Sequence, residues 1–224
     1  MSRPIASTLA AALLAALLAA GCATAPPKKD YTAFRSENPR SILVVPVVNK
    51  SVEVTASDLF LSTLTVPLAE RGYYVFPVDV VKHLLEDDGL SDANLVHGAD
   101  TRKLCGLFGA DSVLYASIER WDAKYMVLST PVTVSFDYTL KGCKTGDALW
   151  NSRQTMVYSP QTQNTGSPLG NLIAMAINAA VTKAAPNYMP LARQANGMAF
   201  AYPGPGFPAG PYRPEYLKDD QPAK

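Results

Sequence analysis

The residues able to carry chemistry are few: Cys22, Cys105 and Cys143, with His83 and His97. An enzyme needs a nucleophile beside a base, a metal cluster, or paired carboxylates in a pocket. The chain has no H-E-x-x-H, C-x-x-C, G-x-S-x-G or phosphate-loop spacing. Gly106-Leu-Phe-Gly109 lacks the lysine of a phosphate loop and reads as a helix end. Asp87-Asp88-Gly89 opens like a calcium loop but lacks the further ligands and the closing glutamate, so it reads as a helix stop. His83 falls on the polar side of a short helix and His97 in a loop before Gly98, surface positions that need no ligand. The expectation is a non-enzyme with no cofactor and no metal.

Cys22 belongs to a different pattern. Arg3 supplies a short positive region, Ile5 to Ala20 an uncharged Ala/Leu run, and Ala19-Ala20-Gly21-Cys22 a boundary of small residues. That boundary resembles the lipobox read by lipoprotein signal peptidase, with Ala19 where Leu, Val or Ile is usual. Ordinary Ala-x-Ala cleavage, with Cys22 a bystander, is the alternative. In the lipobox reading residues 1–21 are a signal peptide, and Cys22 takes a diacylglycerol on sulfur and a third acyl chain on its freed amine. Each buried CH₂ contributes about 0.8 kcal/mol, so two or three chains hold a protein at a bilayer where one is marginal. Ala23 in place of Asp favours the outer membrane, with the domain facing the periplasm. No second run of about 20 apolar residues follows.

The elements that position these residues begin after a tether. Residues 22–38 combine the lipidated cysteine with a polar, proline-containing linker. Ser41-Ile-Leu-Val-Val-Pro-Val-Val48 lacks alternation, as a strand covered on both faces does, and Pro46 marks an edge or bulge because it cannot donate to the ladder. Thr55 or Ser57 caps a helix through Leu59, Phe60, Leu64, Val66 and Leu68, stopped by Gly72. Tyr73 to Val78 is a second strand, and Asp79 caps a helix carrying Val80, Val81, Leu84 and Leu85. Asp100 or Thr101 begins another helix, closed by Gly109, and Asp111 to Tyr125 is a long strand. From Val132 alternation is strict: Val132, Val134, Phe136, Tyr138 and Leu140 share one face, and Ala148 to Tyr158 returns to complete a hairpin with a solvent side. Tyr73, Tyr74, Tyr115 and Tyr125 read as half-buried sheet residues. Leu169 to Ala185 is a helix that is apolar nearly all round, and Tyr188 to Phe200 is a last helix. The tail from Tyr202, with Pro203, Pro205, Pro208, Pro211 and Pro214, reads as extended or disordered.

The order β-α-β-α-α-β-β-β-α-α predicts an α/β fold: a single mixed β-sheet with packed helices, over 39–200, followed by a proline-rich tail at 201–224. Arg40-Ser-Ile-Leu-Val-Val-Pro-Val-Val-Asn-Lys-Ser51, Pro67-Leu-Ala-Glu-Arg-Gly-Tyr-Tyr-Val-Phe-Pro-Val78, Phe108-Gly-Ala-Asp111, Leu149-Trp150, and Pro203-Gly-Pro with Pro214-Glu-Tyr216 resemble a family of bacterial lipoproteins of unknown function. The resemblance covers most of the chain after Cys22. It implies the fold of the TolB N-terminal domain and of the periplasmic domain of CsgG-type secretion lipoproteins. It also implies a CsgG-like lipoprotein as a neighbour, and it carries over no catalytic residues.

Cys105, in an apolar helix, and Cys143, in the hairpin turn, either pair or stay apart. Pairing requires the turn to reach the helix. Two buried free thiols need no such approach and are the simpler expectation. The Leu169 to Ala185 helix is either core or a contact surface for a protein partner or a second copy, with Leu172, Ala176 and Ala180 as candidate interface residues. Lys and Arg number 20 against 19 Asp and Glu, so nucleic acid finds no electrostatic footprint. The expected function is a lipid-anchored periplasmic interaction module in an envelope transport or maintenance assembly. The alternative is a lipoprotein that binds a small ligand or peptidoglycan fragment, which needs a pocket with convergent polar groups. The membrane anchor gives the first prediction: Cys22→Ala abolishes incorporation of labelled palmitate and leaves an unprocessed precursor, and label retained by the variant would refute the lipobox reading.

Overall fold

The computed structural model describes residues 30–123, 132–158, 188–200 and 206–218. Among these, chain order gives α1 (Thr32–Glu37), β1 (Ser41–Val44), β2 (Val48–Asn49), α2 (Ala56–Ser62), α3 (Thr65–Glu70), β3 (Tyr74–Val75), α4 (Val78–Asp87), α5 (Ala93–Gly98), α6 (Thr101–Phe108), β4 (Ser112–Ala123), β5 (Val132–Gly142), β6 (Ala148–Tyr158) and α7 (Met189–Phe200). The strands form one mixed sheet in the order β3-β1-β4-β5-β6, with β2 also pairing β4. Pairs β1/β3, β1/β4 and β2/β4 are parallel, and β4/β5 and β5/β6 are antiparallel. This is the expected α/β class.

Pro46 falls where the first strand breaks into β1 and β2, as its missing N–H requires, while Val45 N still donates to Leu114 O at 3.3 Å. The single helix expected before Gly72 is two: Thr63 N bonds Phe60 O and Leu64 N bonds Leu61 O, i→i−3 contacts that interrupt the ladder just ahead of Pro67, which has no N–H to continue it. Pro77, not Asp79, precedes the first turn of α4. The long strand, the hairpin and the last helix lie within two residues of their expected bounds.

The two faces of the sheet are covered differently. On one face Ile42, Val44, Leu114, Phe136, Tyr138 and Leu140 pack against Phe60, Leu64 and Leu68 from α2 to α3, and Leu191, Ala195 and Phe200 of α7. On the other face Leu43, Val45, Val113 and Tyr115 meet Val81 and Leu85 of α4, Val96 of α5 and Leu104 and Cys105 of α6. These belong to the parallel half, so the outer side of the β5/β6 hairpin stays polar, as its alternation predicts. Inside the first face a chain of polar groups is fully paired: Tyr138 Oη donates to Asn196 Oδ1 at 2.6 Å and Asn196 Nδ2 to Thr63 Oγ1 at 2.7 Å.

Four further expectations are corrected. Residues 32–37, read as linker, form α1, whose Phe34 and Glu37 are buried. His97, read as a loop residue, sits in the last turn of α5, a helix capped by the Asp92 carboxylate accepting from Asn94 N. Cys105 and Cys143, expected as free buried thiols, form a disulfide with Cα atoms 5.8 Å apart. The turn reaches the helix because Cys143 N donates to Asp111 O at 3.0 Å, drawing it to the start of β4. Closing a loop across a sequence separation of 38 removes about 4 kcal/mol of unfolded-chain entropy in the loop-closure account.

The fourth correction concerns the tail, whose residues 206–218 dock on the unit. Phe207 is fully buried, with ring centroids 6.0 Å from Phe34, 5.4 Å from Tyr73, 4.7 Å from Trp150 and 5.1 Å from Phe200. Gly210 N donates to Arg71 O at 2.7 Å, Tyr212 N to Gly72 O at 3.1 Å, and Tyr73 Oη to Pro208 O at 2.9 Å. Proline spacing obscures one buried aromatic here, and that aromatic decides the outcome. A Cβ on Gly210 would lie 2.2 Å from Gly72 O, so only glycine allows this approach. Phe207→Ala is expected to cost about 3–5 kcal/mol, the range for emptying a buried aromatic site, as measured by urea unfolding. An unchanged midpoint would show that the docked tail contributes nothing to the core.

Candidate functional site

Cys22 and the candidate interface residues Leu172, Ala176 and Ala180 lie outside the described residues, as does Tyr125. The remaining residues singled out above are placed as follows. His83 is exposed on α4, its Nδ1 3.3 Å from Glu86 Oε2. His97 Nε2 bonds Pro46 O at 3.0 Å, and its ring meets Tyr115 edge-on with centroids 5.1 Å apart. It ties α5 to the break in the first strand. Asp88 and Gly89, the latter with φ +80°, end α4, and Gly109, with φ +69°, ends α6. Tyr73 and Tyr115 are buried, the latter with Oη 3.0 Å from Thr101 Oγ1, whereas Tyr74, on the short edge strand, is exposed. Among the described residues no three His, Cys, Asp or Glu side chains come together as metal ligands.

Three constellations remain. The first joins α1 to the hairpin turn. Glu37 accepts at Oε1 from Thr145 N (2.9 Å) and Thr145 Oγ1 (2.8 Å), and at Oε2 from Lys144 N (3.2 Å), while Lys144 Nζ donates to Glu37 O at 2.8 Å. A Cβ on Gly142 would fall 2.5 Å from the Glu37 carboxyl carbon, so the glycine makes room for the carboxylate. The turn is thus held by a carboxylate on one side and a disulfide on the other. Sequence reading missed this because the groups lie 107 residues apart.

The second constellation is the outer face of the hairpin. Arg153 donates to Asp137 in a bidentate pair, Ser135 and Thr155 are 2.8 Å apart, and an open depression of about 300 Å³ is lined by Asp137, Thr139, Asn151 and Arg153. Nearby Glu119 accepts from Lys50 at 2.6 Å and Ser117 at 2.8 Å, bonds that hold its carboxyl below the usual range. The charges satisfy one another and do not converge on a vacant centre.

The third is the loop after β2. Asn49 Nδ2 donates to Glu53 O at 2.7 Å, and Asn49 Oδ1 accepts from Ser51 N at 2.9 Å and Ser51 Oγ at 2.7 Å. Thr55 Oγ1 donates to Glu53 Oε1 at 2.9 Å. This frame projects Val52 and Val54, which are 93% and 86% exposed. Isolated surface valines need no account, but two within three residues, on a loop whose backbone is held by hydrogen bonds, form a preorganised apolar knob. From Ser41 to Asn49 the chain climbs eight positions, about 26 Å at strand rise, so the knob lies at the opposite end of the strands from α1.

The sequence profile of the family described as "Putative lipoprotein GNA1162-like" matches residues 29–202. The lipoprotein NMB1124/NMB1162 of Neisseria meningitidis serogroup B is 36% identical over 152 residues, covering 68% of this chain and 70% of that one. The crystal structure of lipoprotein GNA1162 from Neisseria meningitidis matches with a TM-score of 0.54 at 33% identity, over 65% of this chain and 100% of that one.

His97 gives the fold a pH dependence of definite sign. Burial lowers its imidazole below the usual histidine range, the hydrogen bond to Pro46 opposes this, and the charges of Lys141 and Lys50 add to the lowering. The folded state then binds fewer protons than the unfolded one. Its contribution is complete above the unfolded value and is lost as pH falls below about 6.5 towards the folded value. Between about pH 7.5 and 5.5, wild-type stability should therefore fall more steeply than that of His97→Gln in urea unfolding. Equal slopes would show that the imidazole is not held neutral.

Proposed function

The chain belongs to the GNA1162-like lipoprotein family, and from that membership we propose that it works as a lipid-anchored interaction module of the outer membrane. In this reading Cys22 carries the lipid, the unit from Tyr31 onward faces the periplasm, and it acts as a subunit of an envelope transport or maintenance assembly. A CsgG-like lipoprotein is the partner of first choice, on the family resemblance alone. The role requires no catalytic group.

The observation that supports it best is the valine knob. An anchored subunit has one end committed to the membrane, so a partner deeper in the envelope meets the other end, where Val52 and Val54 stand clear of the surface. Their backbone is already ordered by the Asn49 and Glu53 hydrogen bonds, so docking would lose little loop entropy. The reading as a ligand-binding lipoprotein has less support. The depression at Asp137 and Arg153 is open, and its charges are already paired.

A photocrosslinking residue at position 52 tests the role in intact envelopes, with Leu84 on α4 as the exposed control. Position 52 should give a discrete protein adduct that Val54→Asp removes, while the stability changes by no more than surface substitutions do, about 0.5 kcal/mol. Adducts at position 52 no stronger than those at position 84 would dismiss the knob as a contact surface.

A further inference from the structure

We propose that the surface formed by Tyr74, Tyr212, Arg213, Leu217 and Lys218 rests on the bilayer that holds the protein, an inference that presupposes lipidation of Cys22. Tyr212, Leu217 and Tyr74 are 66%, 55% and 52% exposed. They are not on a loose tail. Tyr212 N is bonded to Gly72 O, Arg213 N to Gly210 O, Tyr216 N to Arg213 O and Lys218 N to Glu215 O, at 2.9 to 3.1 Å. Leu217 has φ +60°, a conformation leucine rarely adopts, and its side chain is exposed.

The occupant follows from where the tether leaves. Tyr31 is nine positions after Cys22, and a fully extended chain of that length spans roughly 30 Å at most. Tyr31 Oη donates to Gly206 O, Tyr216 Oη to Asn38 Oδ1, and Tyr74 N to Arg40 O, so the chain enters the unit beside this surface. Tyrosines suit the boundary between headgroups and acyl chains, and Arg and Lys can rest their stems there with the charge outward. Glu215 lies 3.1 Å from Arg213, which leaves the charge of this patch nearly balanced. A zwitterionic bilayer therefore suffices, without anionic lipid. The tether keeps the surface at an effective concentration on the order of millimolar, so a weak contact is populated. Tyr212, Arg213, Leu217 and Lys218 lie beyond the 29–202 family match, whereas Tyr74 lies within it.

The disulfide and the lipidated sulfur make an introduced cysteine the sole thiol for labelling. Full-length lipidated protein carrying NBD at Tyr212→Cys, Leu217→Cys or, as control, Val52→Cys is placed in phosphatidylcholine/phosphatidylethanolamine vesicles containing nitroxide-headgroup lipid. Labels at 212 and 217 should blue-shift and be quenched several times more deeply than the label at 52. Equal quenching at all three, with palmitate incorporated, would overturn the orientation alone. Absence of palmitate would overturn the anchor and the orientation with it. A blue shift without quenching, growing with protein density, would assign the surface to a second copy and overturn the bilayer contact.

Discussion

The antiparallel half of the sheet has one strongly apolar face, and most of the unit is arranged to keep water from it. Phe136, Tyr138 and Leu140 on β5 have essentially no exposure. A slip of one residue would turn all of them to solvent, so the β4/β5/β6 register is fixed by what must be covered. No single segment supplies the cover. Phe60 stacks on Phe136 with centroids 4.2 Å apart, Phe200 meets Tyr138 at 5.5 Å, and Phe207 closes the far side against Trp150. Beneath the cover a donated chain runs from Tyr138 through Asn196 and Thr63 to Phe60 O. Burial pushes the Tyr138 hydroxyl well above its usual range, which keeps it a donor. Breaking such a chain leaves a buried group unpaired, at about 1–3 kcal/mol.

What could be read from the sequence was what neighbours in sequence decide. The alternation in β5, the glycine stops at 72, 89 and 109 and the proline break at 46 are local signals with local causes. The features that escaped reading depend on distant partners. Proline spacing described the tail well, but Phe207 finds its pocket among Phe34, Tyr73, Trp150 and Phe200, and composition does not encode that pocket. Residues 32–37 looked like tether because a six-residue helix with one buried aromatic has almost no periodicity to detect. His97 was placed in a loop for the same reason, since α5 is equally short. The candidate interface at Leu172, Ala176 and Ala180 falls outside the described residues, whereas the valine knob had no signal beyond two apolar letters in a polar stretch.

The two faces of the sheet divide the labour of the fold. Helices α4 to α6 thicken the parallel half, and the hairpin reaches past them with a polar outer side of hydroxyl and ion pairs. Exposed pairs of this kind contribute little stability, and the Asp137–Arg153 pair, with arginine largely exposed, is no exception. Their use is solubility along a long antiparallel surface. Among the exposed apolar side chains, Val52 and Val54 stand at one end of the strands and Tyr74, Tyr212 and Leu217 at the other, where the proposed partner and bilayer contacts lie.

The clamp on the hairpin turn has a mechanical meaning. If Cys22 carries the lipid, as proposed, a pull from the membrane enters the unit from its N-terminal side. Force entering at Tyr31 runs along α1 to Glu37, and from its carboxylate into the backbone of Lys144 and Thr145. The next link is covalent, from Cys143 to Cys105 on α6 at the opposite face of the sheet. The turn thereby joins elements packed on both faces of the sheet. The carboxylate is the weakest link in this line, so it yields before the bridge.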